Sequence, residues 1–363
     1  MKTNEYILRS DASVLDALRQ LNGLPGRLMT LLVVDADGRL TGTVTDGDIR
    51  RGLLCGVAVS DRVGDVAHRD CTLLSADASA EVRMSVMRRA RELGLRLLPV
   101  VDPSGKLADA VDLTATRTIL PLSAVLMAGG LGERLRPLTL TTPKPLLEVG
   151  GRPIIDYNIE NLARCGISDV YIMVRYMAGR MREYFFAPRH GIAARCIEEE
   201  SPMGTIGACT LAPLPEEGCT LVMNSDLLTT IDLEEMYLRH VETRADATIA
   251  AIPYTSSVPY AILRTEGDLV TDIAEKPTTT HFANAGIYIF SNRLLHTLPV
   301  GRRTDAPDFL LKAIADGRRV GYYPISGTWI DIGSPQEYAH ANELMRHHRQ
   351  LTNICLLYTS PSP

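Results

Sequence analysis

The sequence lacks any long apolar run. Its longest apolar stretches, such as residues 28–34 and 119–127, are far shorter than the roughly 20 residues that cross a bilayer. The amino-terminal residues also lack the apolar block of a secretory signal peptide. We therefore expect a cytoplasmic protein that makes no membrane contacts.

The sequence also lacks paired cysteines and an excess of basic charge. None of its seven cysteines lies in a CxxC pair, so we expect reduced thiols and no structural zinc. The 38 basic residues are outnumbered by 43 acidic ones, for a net charge of −5, which excludes binding to nucleic acid through phosphate neutralisation alone.

The chain has 363 residues, 45% of them hydrophobic and 22% charged, which is enough for a little over two globular domains.

The first 120 residues contain an internal repeat. Residues 33–40 recur 67 positions later, and 7 of the 18 positions that start at Val33 are identical in the second copy. Each copy is predicted to form a helix followed by a strand, an Asp/Gly turn and a second strand. We expect two repeats, about 1–58 and 59–120, that pack as one α+β domain. The predicted apolar helix positions are Val14, Leu15, Leu18 and Leu21 in the first copy and Val82, Val86, Met87 and Ala90 in the second.

Residues 42–50, Gly-Thr-Val-Thr-Asp-Gly-Asp-Ile-Arg, resemble the end of a cystathionine-β-synthase (CBS) motif. CBS domains usually occur in tandem, often bind an adenine nucleotide and self-associate, so the resemblance implies such a ligand and a homo-oligomer. It also implies that Thr45 and Asp48 contact the phosphate and the ribose of that ligand. The second copy has Asp112 and Ala115 at these places, so at most one such pocket is expected. The alternative is a structural tandem that binds no ligand.

From Leu122 onward, apolar segments alternate with helical patterns. A helix is predicted after Pro153, and Gly166 is its expected stop. This alternation predicts a Rossmann-like α/β domain over residues 121–350, with a mostly parallel sheet covered on both faces. Ligands of such sheets bind beyond the carboxyl ends of the strands. The predicted buried strands are 123–127, Val170–Val174, 219–223 and 247–252, and the apolar face of the helix is Ile155, Ile159 and Leu162.

The first of these strands leads into a glycine-rich loop at residues 128–134, Ala-Gly-Gly-Leu-Gly-Glu-Arg. Its glycines allow backbone N–H groups to approach a phosphate, and Arg134 adds positive charge. The loop is not a dinucleotide fingerprint, because Leu135 occupies the place of the third glycine. It is not a Walker loop either, because no Gly-Lys-Ser/Thr follows. The predicted nucleotide-binding residues of this loop are Ala128, Gly129, Gly130 and Gly132.

Lysine is scarce, with five residues against 33 arginines. Two of the five lie beside prolines, Lys144 in Pro-Lys-Pro and Lys276 in Glu-Lys-Pro. An ammonium group acts as a compact point charge on a phosphate, and a neighbouring proline restricts the backbone. We therefore predict that Lys144 and Lys276 contact phosphates.

Two aspartates complete the candidate site. Asp226 follows the predicted strand 219–223, and Asp331 lies beside Trp329, the only tryptophan. Each alone is compatible with a helix cap or a turn. In phosphoryl-transfer sites, however, Mg²⁺ is commonly held by one or two carboxylates together with substrate phosphates. With the glycine loop and the two lysines, the aspartates predict an Mg²⁺ site.

These four signatures, in this order, resemble the sugar-phosphate nucleotidyltransferase family over about residues 122–345. The resemblance implies that the glycine loop, Arg134 and Lys144 bind the triphosphate, and that Asp226 and Asp331 hold Mg²⁺. Arg134, Lys144 and Lys276 are the implied catalytic cations. The implied base-binding residues are Glu200, Pro202, Met203, Gly204 and Thr205, and the implied sugar-phosphate-binding residues are Glu275, Lys276, Asn284 and Gly286.

Three positions depart from the pattern of that family. Ile206 replaces a usual alanine, and Ser225 and Ala261 replace common glycines. None of these changes removes a charged group. Activity is therefore still expected, but the base and sugar preferences of relatives that match the pattern better do not carry over to this chain.

The implied reaction joins a sugar 1-phosphate to a nucleoside triphosphate and releases pyrophosphate. The attacking phosphate has a second pKa of about 6, so it needs no general base, and none of the eight histidines lies in a motif. A CBS tandem ahead of such a domain resembles the glucosamine-1-phosphate guanylyltransferases, so we expect GTP with glucosamine 1-phosphate or a related sugar phosphate. The alternatives are a mannose-1-phosphate guanylyltransferase, a glucose-1-phosphate thymidylyl- or uridylyltransferase, and a non-catalytic nucleotide sensor.

The carboxyl-terminal residues follow a different pattern. Residues 336–349 are predicted to form a helix, whereas residues 351–363 match nothing in the rest of the chain. We expect this tail to lie outside the fold.

Overall fold

The computed structural model describes residues 3–24 and 28–358, with side chains as far as Arg346. Contacts divide the chain into two units, Met1–Leu120 with Arg164–Gly166, and Pro121–Ala163 with Ile167–Pro363. Each unit has its own buried apolar clusters. Within the described residues, no helix is both long and apolar enough to cross a membrane.

The first unit consists of two small three-stranded sheets, each with a helix. In each sheet a central strand pairs with one parallel and one antiparallel neighbour. The elements are β1 (Ile7–Arg9), α1 (Val14–Gly23), β2 (Thr30–Val34), β3 (Leu40–Thr45) and α2 (Asp46–Leu54), followed by β4 (Leu74–Ser75), α3 (Ala80–Glu92), β5 (Leu97–Val101) and β6 (Leu107–Asp112).

The strand register repeats together with the sequence. In the first sheet Thr30 lies opposite Thr45, and in the second Leu97 lies opposite Asp112; both members of the second pair are 67 positions further on. Both hairpins also have a shift in strand register at the same place, between Val33 and Val34 in β2 and between Val100 and Val101 in β5. The internal repeat is therefore a structural repeat.

The two repeats are joined by a reciprocal pair of hydrogen bonds at their hairpin turns. The backbone N–H of Leu40 donates to the carbonyl of Gly105 at 3.1 Å, and that of Leu107 donates to the carbonyl of Gly38 at 3.0 Å. Apolar residues of both copies share one buried cluster, which includes Leu32. This exchange between equivalent residues gives the first unit an approximate internal twofold relation.

Both predicted helices are present, but two of the apolar residues that indicated them lie outside the core. Leu15 and Val82 are 38% and 49% exposed, whereas Ala17 and Met84 are buried. Successive helical residues point about 100° apart, so neighbouring residues can lie on the buried and the exposed side of one helix. The position of the sheet decides which face is buried.

The second unit is built on a seven-stranded sheet, as predicted for a mostly parallel α/β fold. Its strands are β7 (Leu122–Ala128), β10 (Val170–Val174), β11 (Arg195–Glu198), β12 (Cys219–Asn224), β14 (Ala247–Ser257), β17 (Thr278–Ser291) and β18 (Val320–Pro324). The helices of this unit are α4 (Ile154–Arg164), α5 (Ala178–Tyr184), α6 (Leu233–Glu242), α7 (Asn292–Leu295), α8 (Ala306–Ala315) and α9 (Pro335–Tyr358). Three short two-stranded pairs lie outside the main sheet: β8 (Glu148–Val149) with β9 (Arg152–Pro153), β13 (Leu227–Thr229) with β19 (Trp329–Asp331), and β15 (Ile262–Glu266) with β16 (Leu269–Ala274).

The strand order is β11-β10-β7-β12-β17-β14-β18, and only β17 runs antiparallel to its neighbours. From β7 the chain first builds outward through β10 to β11 and then returns to place β12 on the other side of β7. The order therefore reverses between β7 and β12. In open α/β sheets, such a reversal opens a crevice at the carboxyl ends of the strands, where ligands bind.

The predicted elements of this unit match the observed ones closely at the centre of the sheet. The strand Val170–Val174 has the predicted bounds, and α4 begins directly after Pro153 and ends two residues before Gly166, whose φ is +68°. The helix face of Ile155, Ile159 and Leu162 is fully buried. By contrast, β14 continues to Ser257 instead of stopping at residue 252, because it forms an exposed arm with β17 and the β15–β16 hairpin.

The last helix ends later than predicted. It runs to Tyr358 instead of residue 349, and no glycine or proline interrupts the sequence before Pro361. Residues 351–358 of the predicted tail are therefore helical. Residues 359–363 lie outside the described part of the chain.

A buried histidine connects α6 to the sheet. His240 is 3% exposed, its Nδ1 lies 2.9 Å from Thr248 Oγ1, and its Nε2 lies 3.5 Å from Cys219 Sγ. Burial lowers the pKa of His240 to about 4, against an opposing effect of Asp246. The imidazole is therefore neutral in the folded protein down to mildly acidic pH.

His240 is expected to make the folded chain less stable as the pH falls from 6.5 to about 4. In this interval the unfolded chain takes up a proton that the folded chain does not, so acid favours unfolding. The pKa difference corresponds to about 3 kcal/mol. Urea unfolding at several pH values, followed by the fluorescence of Trp329, measures this loss.

The variant His240→Gln should reduce the pH dependence by that amount. His281→Gln is the matched control, because His281 is exposed on the arm, and it should retain the wild-type dependence. Equal pH dependence in the wild type and the His240→Gln variant would contradict this role.

Candidate active site

A cavity of about 360 Å³ opens at the carboxyl ends of β7, β10, β11 and β12, where the strand order reverses. The sheet topology predicts a ligand site at this place. Nine of the predicted site residues line the cavity. They are Ala128, Gly129, Gly130, Lys144, Pro202, Met203, Gly204, Thr205 and Asp226.

The glycine-rich loop passes too close to neighbouring groups to carry side chains at two positions. A Cβ at Gly129 would lie 2.7 Å from Glu199 Oε1, and one at Gly132 would lie 2.8 Å from Thr139 Cγ2. Gly132 also has a φ of +64°, which L-residues rarely adopt. The bond from Thr139 Oγ1 to the carbonyl of Gly132, at 2.8 Å, holds the loop in this conformation.

Three charged side chains meet at the edge of the cavity. The ammonium of Lys144 is in hydrogen-bond contact with Asp226 Oδ2 and lies 3.9 Å from Asp331 Oδ1. The β13–β19 ladder, in which Leu227 lies opposite Asp331, brings the two aspartates together. Arg134 lies next to this cluster rather than in the cavity lining, since a Cβ at Gly333 would be 2.9 Å from its Nη2.

The surroundings of Asp331 raise the energetic cost of its negative charge. The pKa of Asp331 is raised first by burial and then by the negative charge of Asp226, whereas Lys144 lowers it. No group of three or more His, Cys, Asp or Glu side chains in the described residues forms a complete metal site. Two carboxylates fit an ion such as Mg²⁺, which takes its remaining ligands from phosphates and water.

The predicted base-binding loop closes the other side of the cavity. Its position is fixed by the segment before α8: Thr205 N–H donates to Asp305 Oδ1 at 3.0 Å, and Ala306 N–H donates to Thr205 Oγ1 at 2.8 Å. Gly204 has a φ of +80°, and a Cβ there would lie 2.4 Å from the carbonyl oxygen of Thr304. Glu200 is exposed and does not line the cavity.

Five polar residues line the cavity that the sequence analysis did not select. Arg175 and Glu199 directly follow β10 and β11, so the rule that ligands bind at carboxyl strand ends would have found them. Asn224, Arg303 and Asp305 are the other three. No motif distinguished Arg303 and Asp305, because they reach the cavity only through the packing of the loop before α8.

The predicted sugar-phosphate residues do not line the cavity. Gly286, with a φ of +71°, lies beside it, since a Cβ there would be 2.6 Å from Asn224 Nδ2. Asn284 supports this bend by accepting from the Gly286 N–H at 3.0 Å. Glu275 and Lys276 are exposed on the arm, and Lys276 has a φ of +42°.

The three departures from the family pattern have separate environments. The hydroxyl of Ser225 donates to the carbonyl of Met127 at 2.7 Å, which ties the end of β12 to β7. Ile206 is fully buried in the main apolar cluster of the unit, and Ala261 is exposed on the arm. Only Ser225 touches the cavity lining.

In the first unit, Thr45 and Asp48 bond to each other. They form a reciprocal cap at the start of α2, in which Thr45 Oγ1 donates to Asp48 Oδ2 at 2.6 Å, and Arg51 pairs with the other oxygen at 2.5 Å. At the equivalent place in the second repeat, Asp112 caps a turn and no helix follows β6. The two repeats therefore differ where the CBS resemblance implies a ligand.

Comparisons with known proteins agree with this architecture. The sequence profile of the nucleotidyl transferase family matches residues 123–348, and that of the CBS domain matches residues 1–54. The chain therefore belongs to the nucleotidyl transferase family, with a CBS domain at its amino terminus, as the motifs predicted. Enzymes of this family generally use a divalent metal ion.

Individual relatives match about three fifths of the chain. A Sulfolobus acidocaldarius protein, provisionally named a mannose-1-phosphate guanyltransferase, is 32% identical over 225 residues, which cover 61% of this chain and 62% of that protein. The mannose-1-phosphate guanyltransferase of Pichia angusta is 30% identical over 229 residues, with coverage of 60% and 62%. A crystal structure of HddC from Yersinia pseudotuberculosis with GMP-PN is 25% identical, with a TM-score of 0.48 and coverage of 61% and 98%. The chain thus spans less than two thirds of the length of the two guanyltransferases.

Gly204→Ala is expected to lower the free energy of unfolding by about 1–3 kcal/mol. The new Cβ would overlap the carbonyl of Thr304 and force a backbone conformation unfavourable for alanine. Thermal unfolding measures the change. Gly179→Ala is the control, because Gly179 is helical and has no neighbour within 4 Å, so it should be neutral or stabilise by up to about 1 kcal/mol. Equal stability of the Gly204→Ala variant and the wild type would disprove the close approach.

Proposed function

We propose that the second unit joins a sugar 1-phosphate to a nucleoside triphosphate and releases pyrophosphate. The observation that carries this proposal is the cluster of Lys144, Asp226 and Asp331 at the edge of the cavity, where the strand order of the sheet reverses. The glycine loop contributes backbone N–H groups beside it. Membership of the nucleotidyl transferase family supports the same reaction.

The proposed nucleotide is GTP. The relatives from Sulfolobus acidocaldarius and Pichia angusta carry the names of guanyltransferases, which supports a guanine base. Their names also support mannose 1-phosphate as the sugar substrate. The CBS tandem ahead of the transferase unit favours glucosamine 1-phosphate or a related sugar phosphate, so we propose a hexose 1-phosphate that the assay below identifies.

In the proposed mechanism, the protein brings two anions together. The sugar phosphate is already ionised at neutral pH and needs no base. Lys144 neutralises charge at the triphosphate, and the glycine-loop amides with Arg134 bind the leaving pyrophosphate. We assign Lys276 to the sugar phosphate, which requires the arm that carries it to approach the cavity. Rate acceleration then comes from positioning and charge neutralisation.

Asp226 and Asp331 are the residues that would hold the divalent ion, which we propose to be Mg²⁺. When bound, this ion supplies positive charge to the phosphate oxygens. Lys144 contacts both carboxylates, so its ammonium partly compensates their negative charge.

For the first unit, an adenine nucleotide at Thr45 and Asp48 remains a prediction. Both side chains already have partners in the cap of α2, so a ligand would have to exchange with these bonds. The homo-oligomer and the cytoplasmic location also remain predictions.

A pyrophosphate-release assay tests the function. The full chain is incubated with each of four triphosphates and with mannose, glucosamine and glucose 1-phosphates. We expect release with GTP and one hexose 1-phosphate, and the nucleotide-sugar product is identified by mass spectrometry. Release with dTTP or UTP alone would replace the guanylyl assignment, and no release from any pair would favour the non-catalytic sensor.

Asp226→Asn is expected to reduce kcat by about 100-fold or more, because it removes a charge that would hold the metal ion. The same pyrophosphate assay at saturating Mg²⁺ measures the effect, and circular dichroism confirms the fold. Asp316→Asn is the control, since Asp316 is an exposed residue at the end of α8, and it should retain wild-type turnover. Near-normal turnover of the Asp226→Asn variant would disprove this role.

A further inference from the structure

Arg134, which the proposed mechanism assigns to the leaving pyrophosphate, lies against the turn before α9. A Cβ at Gly333 in this turn would be 2.9 Å from Arg134 Nη2 and 3.4 Å from its Cζ. Gly333 is the second residue after Asp331, one of the two proposed metal ligands. A cation from the glycine loop therefore lies beside the segment that carries a carboxylate of the metal site.

One buried apolar cluster holds these two segments together. Leu135 directly follows Arg134, and Ile332 directly precedes Gly333. Both apolar side chains are buried, and both belong to the same cluster. Their packing brings the neighbouring residues, Arg134 and Gly333, to one edge of that cluster. The contact between the guanidinium and the turn is thus built on the core of the unit.

Glu337 reaches the same turn from the beginning of α9. Its Oε2 accepts from the Gly333 N–H at 3.0 Å, and the same N–H lies 2.8 Å from the carbonyl oxygen of Asp331. A Cβ at Gly333 would lie 3.3 Å from this Oε2. Glu337 Oε2 and Arg134 Nη2 therefore both lie within 3.3 Å of one point beside Gly333. Opposite charges so placed attract each other, although solvent screens the exposed Glu337.

The guanidinium of Arg134 keeps its donors free for a ligand. In the part of the chain that the structure describes, it forms no hydrogen bond and no ion pair closer than 4.0 Å. A guanidinium has five N–H donors in a planar fork, which suits a phosphate. Its position is therefore limited by Gly333 and Glu337, while its donors are not consumed by them.

We infer that Gly333 and Glu337 are positioning residues for Arg134, an inference that rests on the proposed transfer reaction. Gly333 provides the space for the guanidinium beside Asp331, and the carboxylate of Glu337 attracts the guanidinium to that space. The beginning of α9 thereby fixes where the charge that binds pyrophosphate lies relative to the metal aspartates. Such fixed placement of charge before the reaction is a large part of electrostatic catalysis.

The backbone of the turn does not itself require glycine. The φ of Gly333 lies outside the left-handed region, and the three atoms nearest to a Cβ there belong to the ends of the Arg134 and Glu337 side chains. At Gly204, by contrast, a Cβ would meet a backbone carbonyl at a φ of +80°. A side chain at position 333 would therefore displace Arg134 and Glu337 and leave the fold intact.

Replacement of Gly333 tests the space for the guanidinium. Isothermal titration calorimetry measures the Kd of inorganic pyrophosphate, with Mg²⁺ in excess, for the full chain. Gly333→Ala should raise this Kd by about 10-fold, because its methyl group displaces the guanidinium. Its unfolding temperature should not fall, in contrast to that of the Gly204→Ala variant. Equal affinity of the Gly333→Ala variant and the wild type would overturn the inference.

A double-mutant cycle shows whether this loss passes through Arg134. Arg134→Gln alone should weaken pyrophosphate binding by about 10-fold or more, because it removes a charged hydrogen-bond donor. Adding Gly333→Ala to this variant should change Kd by less than about twofold, since the displaced group is no longer present. If the two losses multiply instead, the glycine acts on the fold and not on Arg134, which contradicts the inference.

Glu337→Gln separates positioning from a direct charge effect. The amide oxygen can still accept from the Gly333 N–H, but the negative charge is removed. A direct effect of this charge on an anion predicts tighter binding in the variant. Loss of positioning predicts weaker binding, and we expect Kd to rise by about two- to fivefold. Unchanged or tighter binding would disprove the role of Glu337.

Glu343→Gln is the matched control, because Glu343 is an exposed glutamate further along α9. It should keep the wild-type Kd. An active wild type whose Gly333→Ala and Glu337→Gln variants bind pyrophosphate normally contradicts the inference alone. No turnover with any substrate pair contradicts the proposed function, and the titrations with pyrophosphate still test the contact.

Discussion

The ammonium of Lys144 lies between the carboxylates of Asp226 and Asp331, and much of the second unit is arranged to make this contact possible. The three residues come from a turn, from the end of a central strand and from a short strand far along the chain. Burial raises the pKa of Asp331, and the negative charge of Asp226 raises it further. A site of this kind is suited to substrates that are themselves mutually repelling anions.

The sheet topology explains why this cluster lies next to the glycine loop. The order reverses between β7 and β12, so the loop after the first strand and Asp226 after the second open onto one crevice. The β13–β19 ladder then places Asp331 beside them. On the opposite wall, the loop that contains Gly204 is held by backbone bonds to the segment before α8. The cavity is thus shaped by segments whose conformations depend on one another.

The two repeats of the first unit share their strand register but differ in the helix cap that follows the last strand of the first copy. Strand register and the reciprocal turn contacts recur at 67 residues, because both depend on the same alternation of apolar residues and turn glycines. The cap formed by Thr45 and Asp48 begins a helix in the first copy, whereas Asp112 and Ala115 in the second copy cannot form this reciprocal cap. The second copy lacks this cap and differs at most of the positions that follow it, and a helix start requires partners for its free N–H groups.

The sequence by itself determined the strands at the centre of the sheet, the boundaries of α4, the repeat, and the glycines and charged residues of the motifs. These features depend on local patterns: apolar periodicity, a proline before a helix, a glycine after it. Tertiary structure decided which faces of α1 and α3 are buried, that β14 extends into an arm, and that Arg303 and Asp305 reach the cavity. It also decided among Glu198, Glu199 and Glu200. Three identical side chains in a row carry no local signal that separates them, and only the pairing of β11 with β10 and the packing around it send one to the surface and bury the next at the cavity wall.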